Sequence, residues 1–74
     1  MYIVLEIQTN AEGVISALVY QFDSLSAANN KYHTILAAAA VSGLPAHTAV
    51  IMTNDGGTVK AECYKNGENV TPIL

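Results

Sequence analysis

The stretch from Asp23 to Gly43 constrains the fold more than any other, because it has the pattern of one amphipathic helix. Apolar residues recur there at three- and four-residue steps and form one stripe: Leu25, Ala28, Tyr32, Ile35, Leu36 and Ala39. Asp23, Ser24 and Ser26 offer side-chain oxygens that cap a first helical turn. Gly43 offers a left-handed C-cap, and Pro45 prevents the helix from continuing. The sequence therefore predicts a helix with one face packed on the rest of the chain.

The opposite side of this helix is polar at its start and apolar at its end. The apolar end consists of Ala37, Ala38 and Val41, side chains that do not need water. This outer surface is a first indication of a partner.

The residues before the helix predict a β-hairpin. Residues 1–9 and 14–22 alternate between two faces, as strands do, and Asn10 to Gly13 has the pattern of a three-residue hairpin loop. If Asn10 pairs with Val14, Leu5 lies opposite Val19 and Val4 lies opposite Tyr20.

The residues after the helix predict a second hairpin. Residues 47–53 and 58–64 have strand character, and the turn sequence 54–57 separates them. Pairing Asn54 with Thr58 gathers five side chains on one face: Ala49, Ile51, Val59, Ala61 and Cys63. A two-residue turn would shift this register and change those faces.

Together these patterns predict an α+β fold with the order ββαββ, a four-stranded antiparallel sheet and one helix packed on one face. A right-handed crossover favours the strand order 2-1-3-4, while an order with the fourth strand beside the first stays open. We expect residues 1–65 to form one domain and residues 66–74 to form a flexible C-terminal tail.

Both faces of the first hairpin are apolar, and a single helix covers only one face of a sheet. We expect the helix to cover the face that carries Ile3, Leu5, Ile7, Ile15, Ala17 and Val19. The second face is then the predicted interface, and its residues are Tyr2, Val4, Glu6, Leu18, Tyr20 and Phe22.

The composition excludes several classes of function. Charged residues make up 12% of the chain, about half the usual share, and hydrophobic residues make up 51%. The net charge is −3 and arginine is absent, which argues against a nucleic-acid partner. No apolar run reaches the roughly 20 residues of a membrane span. A single cysteine and no recognisable signal peptide favour a cytoplasmic protein.

Few residues have a pattern that suggests chemistry, so we predict no catalytic, cofactor-binding or metal-ligating residue. His33 and His47 lack any metal-ligand spacing and are expected at the surface or its boundary. Cys63 is expected to be a half-buried, inert thiol.

Glu6 interrupts an apolar face, where it fits an interface edge, a charge that limits strand mispairing, or a ligand contact among Tyr2, Gln8 and Tyr20; the interface edge is favoured. If the first strand lies beside the third or fourth, Glu6 could also form a cross-strand pair with Lys60.

Three stretches resemble a family of short uncharacterised bacterial proteins encoded in phages or prophages. They are residues 1–10 (MYIVLEIQTN), the helix centre at 32–40 and the strand at 47–52. The resemblance extends over residues 1–65 and implies no particular activity.

The leading hypothesis is a non-enzymatic phage or prophage accessory protein that forms a homodimer or higher oligomer through an apolar sheet face. One alternative is a small-ligand binder or enzyme with a site at the subunit interface, lined by Tyr2, Glu6, Gln8 and Tyr20. Another is a module that binds a phage or host protein along a sheet edge.

Overall fold

An antiparallel sheet crossed by one helix accounts for residues 1–71, the part of the chain that this computed structural model describes. The elements are β1 (Tyr2–Thr9), β2 (Ile15–Phe22), α1 (Leu25–Ala40), β3 (Ala46–Thr53), β4 (Thr58–Lys65) and β5 (Glu68–Asn69). The predicted α+β class is confirmed. Across residues 1–71 no helix is both long enough and apolar enough to cross a membrane.

The strands follow one another across the sheet in the order β2-β1-β3-β4-β5. The favoured order of the first four strands is therefore confirmed, and the alternative with β4 beside β1 is wrong. The prediction of four strands is also wrong, because β5 adds a fifth. β5 follows β4 through Asn66 and Gly67, which both have positive φ, at 54° and 83°. This two-residue turn is the type that favours Asn-Gly.

The segment predicted as a tail thus begins as part of the sheet. Beyond β5, the amide of Val70 donates to the Cys63 carbonyl at 2.9 Å, and the amide of Cys63 donates to Thr71 Oγ1 at 3.0 Å. The division into a domain of residues 1–65 and a flexible tail stays a prediction, and residues 72–74 lie outside the described part of the chain.

The first hairpin has the predicted register. Leu5 lies opposite Val19 and Val4 lies opposite Tyr20. The Asn10 amide donates to the Val14 carbonyl at 3.0 Å, and the Asn10 side chain accepts from two amides of the loop. An asparagine that satisfies its own turn in this way fixes the register of the strands that follow.

The second hairpin differs from the predicted register, by two residues at the turn and by one residue beyond it. The amide of Thr53 donates to the Gly57 carbonyl, and the pairing then shifts, because Met52 lies opposite Thr58 but Ile51 lies opposite Lys60. A bulge at Val59 accommodates the extra residue. A shift of one residue moves side chains to the opposite face, so Ala49 and Ile51 do not share a face with Ala61 and Cys63, as had been expected.

The helix begins and ends close to its predicted bounds. Ser24 is the N-cap, and its Oγ accepts from the Ala27 amide at 3.1 Å. The helix ends at Ala40 with Val41 as its cap, and Gly43 does not adopt a positive φ, so the predicted glycine C-cap is wrong. Of the predicted apolar stripe every member is buried except Leu25, which is 39% exposed.

The helix packs on the opposite face of the sheet from the one predicted. The core consists of Val4, Ala49 and Ile51 from the sheet and Ala28, Tyr32, Ile35 and Leu36 from the helix. Tyr2, Tyr20 and Phe22 pack against this core. The expectation that the helix covers Ile3, Leu5 and Ile7 is therefore wrong, and those residues belong to the face that points away from it.

Candidate functional site

The sheet face that points away from the helix is largely apolar, and we call it the open face. The cross-strand register and the alternation of side chains define its members: Ile3, Leu5, Ile7, Thr9, Ile15, Ala17, Val19, Gln21, Ala46, Thr48, Val50, Met52, Thr58, Ala61, Cys63, Lys65 and Glu68. The charged members, Lys65 and Glu68, lie opposite each other at the β5 edge, and the members on β1, β2 and β3 are all uncharged. No helix or strand of residues 1–71 covers this face, since α1 packs on the other side and β5 extends the sheet.

Exposure on the open face increases from the centre of the sheet toward β2. Side chains of β1 and β3, such as Leu5 and Val50, are half-buried because neighbouring strands shield them. On β2, Ile15 is 68% exposed and Val19 is 59% exposed. Cys63 is buried, at the place where Val70 and Thr71 bond to its backbone. Large aliphatic side chains in such a continuous patch mark an interaction surface more often than a solvated one.

The residues predicted to form the interface lie beneath or beside the helix instead. Val4 is completely buried in the core, and Tyr2, Tyr20 and Phe22 are partly buried against it. A partner cannot reach Val4 without displacing the helix, so the predicted choice of sheet face is corrected. Leu18 is the exception, because it lies at the outer edge of that face and is 50% exposed.

The outer side of the helix is apolar toward its end, as expected. Val41 is 87% exposed, and Ala37 and Ala38 are exposed as well. These three side chains are neighbours but small, so they make a smaller patch than the open face.

Glu6 belongs to a cluster of hydrogen-bonding side chains between the sheet and the helix, which we call the polar cluster: Glu6, Gln8, Tyr20 and His47. Nε2 of His47 lies 2.8 Å from Glu6 Oε2, and the Gln8 amide donates to the same oxygen at 3.0 Å. The Tyr20 hydroxyl reaches Glu6 Oε1 at 3.5 Å. Glu6 and Lys60 do not form the suggested cross-strand pair, because Glu6 lies opposite Ala49 and Lys60 lies opposite Ile51.

The electrostatics of the polar cluster favour an ionised Glu6. Burial by itself raises the pKa of the Glu6 carboxyl, while the hydrogen bonds from His47 and Gln8 lower it. The charges of His47 and Lys31 act in the same direction, so the net pKa lies below its usual value. A carboxylate only accepts hydrogen bonds, so His47 Nε2 carries the proton in the 2.8 Å contact.

His47 is 4% exposed, so the expectation of a surface or boundary histidine is wrong for it, while His33 is exposed as expected. Nδ1 of His47 is buried and has no hydrogen-bond partner among residues 1–71. A carboxylate that orients a histidine is a component of acid–base catalysis, but the reacting nitrogen must reach a substrate. No cavity opens among residues 1–71, and no group of three potential ligands there suits a metal ion. What the structure shows of the polar cluster is a set of hydrogen bonds that connects β1, β2 and β3.

A second buried hydrogen bond connects the helix to β4. The Tyr32 hydroxyl donates to Glu62 Oε1 at 2.9 Å, and Asn69 Nδ2 donates to the other Glu62 oxygen at 3.1 Å. Burial, followed by the bond to Glu62 and its charge, raises the pKa of Tyr32 well above its usual value. Glu62 thus joins α1, β4 and β5.

The sequence predicted that β3 lies beside β1, but it did not predict the register of that pair, which brings Glu6 and His47 together. The order 2-1-3-4 with the observed register places His47 directly opposite Gln8, two residues from Glu6.

Comparisons of the chain with models of known families, with curated proteins and with solved structures each found no match.

Proposed function

We propose that the protein is a non-enzymatic accessory protein that self-associates by stacking the open face of one copy on the open face of another. The observation that carries this proposal is a largely apolar sheet face, uncharged across β1, β2 and β3, that no element of residues 1–71 covers. The resemblance of residues 1–65 to short phage and prophage proteins supports a phage or prophage origin.

The size of the open face suits a second copy. Four strands of eight residues form a surface of about 19 Å by about 26 Å, or roughly 500 Å². Two such faces in contact bury on the order of 1,000 Å² in total, which is about the minimum for a specific interface.

The chemistry of the open face also suits a second copy. In a two-fold symmetric contact the same surface meets itself, so a charge near the axis would face its own copy. The open face avoids this conflict near its centre, because its charged members, Lys65 and Glu68, lie together at the β5 edge. Its other polar members are the uncharged Thr9, Gln21, Thr48 and Thr58. Sheets stacked face to face in this way form the core of β-sandwiches.

The alternative of a small-ligand site is less well supported. Glu6, Gln8 and Tyr20 do lie together, but they bond to one another and to His47 beneath the helix. No cavity adjoins them within residues 1–71.

Substitution of Val50 by lysine tests the proposed stacking. Val50 lies on the central strand β3 and is half-buried, so in a monomer the lysine ammonium reaches water along its flexible stem. In a stacked dimer two unpaired ammonium groups would be buried, at a cost of about 4 kcal/mol or more. The dissociation constant should then rise by roughly a thousandfold.

Native mass spectrometry and sedimentation across a dilution series measure this effect. Val50→Thr is the matched control, since it keeps a β-branched side chain of similar size without adding charge. The hydroxyl carries no charge, so we expect the control to weaken assembly much less than Val50→Lys does. An assembly of Val50→Lys that dissociates at the same concentration as the parent would refute stacking through the open face.

A further inference from the structure

The long edge of the sheet is formed by β2, and it lacks the protection that sheet edges usually have. β2 runs for eight residues, ISALVYQF, without charge or proline, and its pairing with β1 is regular from end to end. Natural proteins shield such edges with lysines, prolines, bulges or very short strands. The opposite edge follows that rule, because β5 is two residues long.

The hydrogen-bond pattern shows which backbone groups of β2 point outward. The Asn10 amide donates to the Val14 carbonyl, so Val14 faces β1, and the direction alternates along the strand. Ser16, Leu18, Tyr20 and Phe22 therefore bond to β1. The amides and carbonyls of Ile15, Ala17, Val19 and Gln21 point away from the sheet.

We infer that β2 pairs antiparallel with β2 of a second copy, with Leu18 on the two-fold axis. This register places Ala17 opposite the second copy's Val19 and Ile15 opposite its Gln21, so every outward backbone group finds a partner. It joins two five-stranded sheets into one continuous sheet. The inference deepens the proposed self-association and rests on it.

The exposure of Leu18 fits this arrangement. Leu18 lies on the helix side of the sheet but is 50% exposed, because α1 does not extend over it. With Leu18 on the axis, the two leucines pack against each other in a pair of the close, non-hydrogen-bonded type.

Lys31, the nearest charge on the helix, is already held over the Tyr20 ring at 4.1 Å. At each end of the paired strands Asp23 approaches the second copy's Glu12, so added salt should strengthen the contact.

The edge contact is geometrically compatible with stacking of the open faces. The edge pairing has its two-fold axis perpendicular to the sheet, whereas stacking has its axis parallel to the sheet. Two perpendicular two-fold axes that meet generate a closed tetramer. The two contacts can be tested separately, because Leu18 points to the helix side and Val50 points to the open face.

Three variants of the full chain, compared by native mass spectrometry, separate the two contacts. We expect tetramers for the parent protein, dimers for Leu18→Lys and dimers for Val50→Lys. Leu18→Gln is the control for Leu18→Lys, since it adds polarity without charge and should keep the parent mass. If Leu18→Lys keeps the parent mass while Val50→Lys lowers it, edge pairing is overturned and stacking stands. If Leu18→Lys yields monomers and Val50→Lys changes nothing, edge pairing stands and stacking fails.

Amide hydrogen exchange gives a second measurement that does not depend on assembly mass. Edge pairing buries the amides of Ala17 and Val19 in hydrogen bonds, so they should exchange about tenfold or more slowly in the parent than in Leu18→Lys. The amide of Tyr20, which bonds to β1, should stay protected in both proteins and shows that the hairpin is folded. Fast exchange at Ala17 and Val19 in the assembled parent protein would overturn the inference.

Discussion

Replacing Glu6 with glutamine should destabilise the fold in a way that depends on pH. The Glu6 side chain is 12% exposed and accepts two short hydrogen bonds, from His47 at 2.8 Å and from Gln8 at 3.0 Å. The glutamine side chain keeps one acceptor oxygen, so it can still accept from either His47 or Gln8. Its amide group then faces the other donor, and that hydrogen bond is lost. The change therefore removes about one hydrogen bond to a charged group, which is worth about 2 kcal/mol. For a domain of this size that corresponds to a fall in Tm of about 8–16 °C.

The direction of the pH effect follows from the lowered pKa of Glu6. Its usual value is 4.5, and folding lowers it, so the unfolded chain takes up a proton more readily than the folded one. The stabilisation by ionised Glu6 is then complete above pH 4.5 and is lost as the pH falls through the folded-state pKa. A protonated Glu6 resembles glutamine, so the parent and Glu6→Gln should differ at pH 7 and converge in acid.

Urea unfolding followed by circular dichroism at pH 7 and at pH 3 measures both differences. The protein concentration must be the same throughout, because assembly adds to apparent stability. Glu12→Gln is the matched control, since Glu12 is exposed in the hairpin loop and the same chemical change there should cost little. An equal loss at the two pH values would show that the charge of Glu6 contributes nothing and would refute the reasoning.

Two further predictions concern the contacts that hold β4 and β5 to the helix. Tyr32→Phe deletes the hydroxyl bonded to Glu62, so it should cost about 1–2 kcal/mol at pH 7, measured by urea unfolding. Folding raises the pKa of Tyr32 above its usual 10.0, so the parent protein should lose stability above pH 10, and the variant should lose less. Equal losses of stability in the two proteins would contradict the role of Tyr32. Gly67→Ala should cost more than Gly13→Ala, by thermal unfolding. Both glycines have positive φ, which costs alanine about 1–2 kcal/mol, but only at Gly67 would the new Cβ also meet a backbone oxygen, that of Ala40 at 3.1 Å. Equal losses would show that this approach adds no strain.

The elements that the sequence predicted well are those whose signals are local. The register of the first hairpin follows from Asn10 and Gly13, which satisfy the turn by themselves. The helix follows from its apolar stripe and from Ser24 as its cap. The turn of Asn66 and Gly67 is an equally local signal for a hairpin, and it could have revealed β5.

Other features depend on contacts between distant parts of the chain. His47 has no sequence neighbour that explains its burial, and its partner Glu6 lies 41 residues away. The bulge at Val59 reverses the faces of β4, although the turn that precedes it gives no sign of one. The composition of the strands also did not indicate which sheet face the helix covers, because both faces of β1 carry large aliphatic or aromatic residues.

The choice of face follows from chirality more than from hydrophobicity. In a strand of L-residues, the N–H and C=O groups of a residue point toward one neighbouring strand. Because the residue is chiral, that direction also decides on which face of the sheet its side chain lies. The backbone groups of Leu18 and Tyr20 bond to β1, which places their side chains on one particular face of the sheet. A right-handed β2–α1–β3 crossover places the helix over that same face. The helix therefore covers Val4 and leaves the more aliphatic face, with Leu5, uncovered. This topology gives the small domain a second apolar surface, which is the surface proposed for self-association.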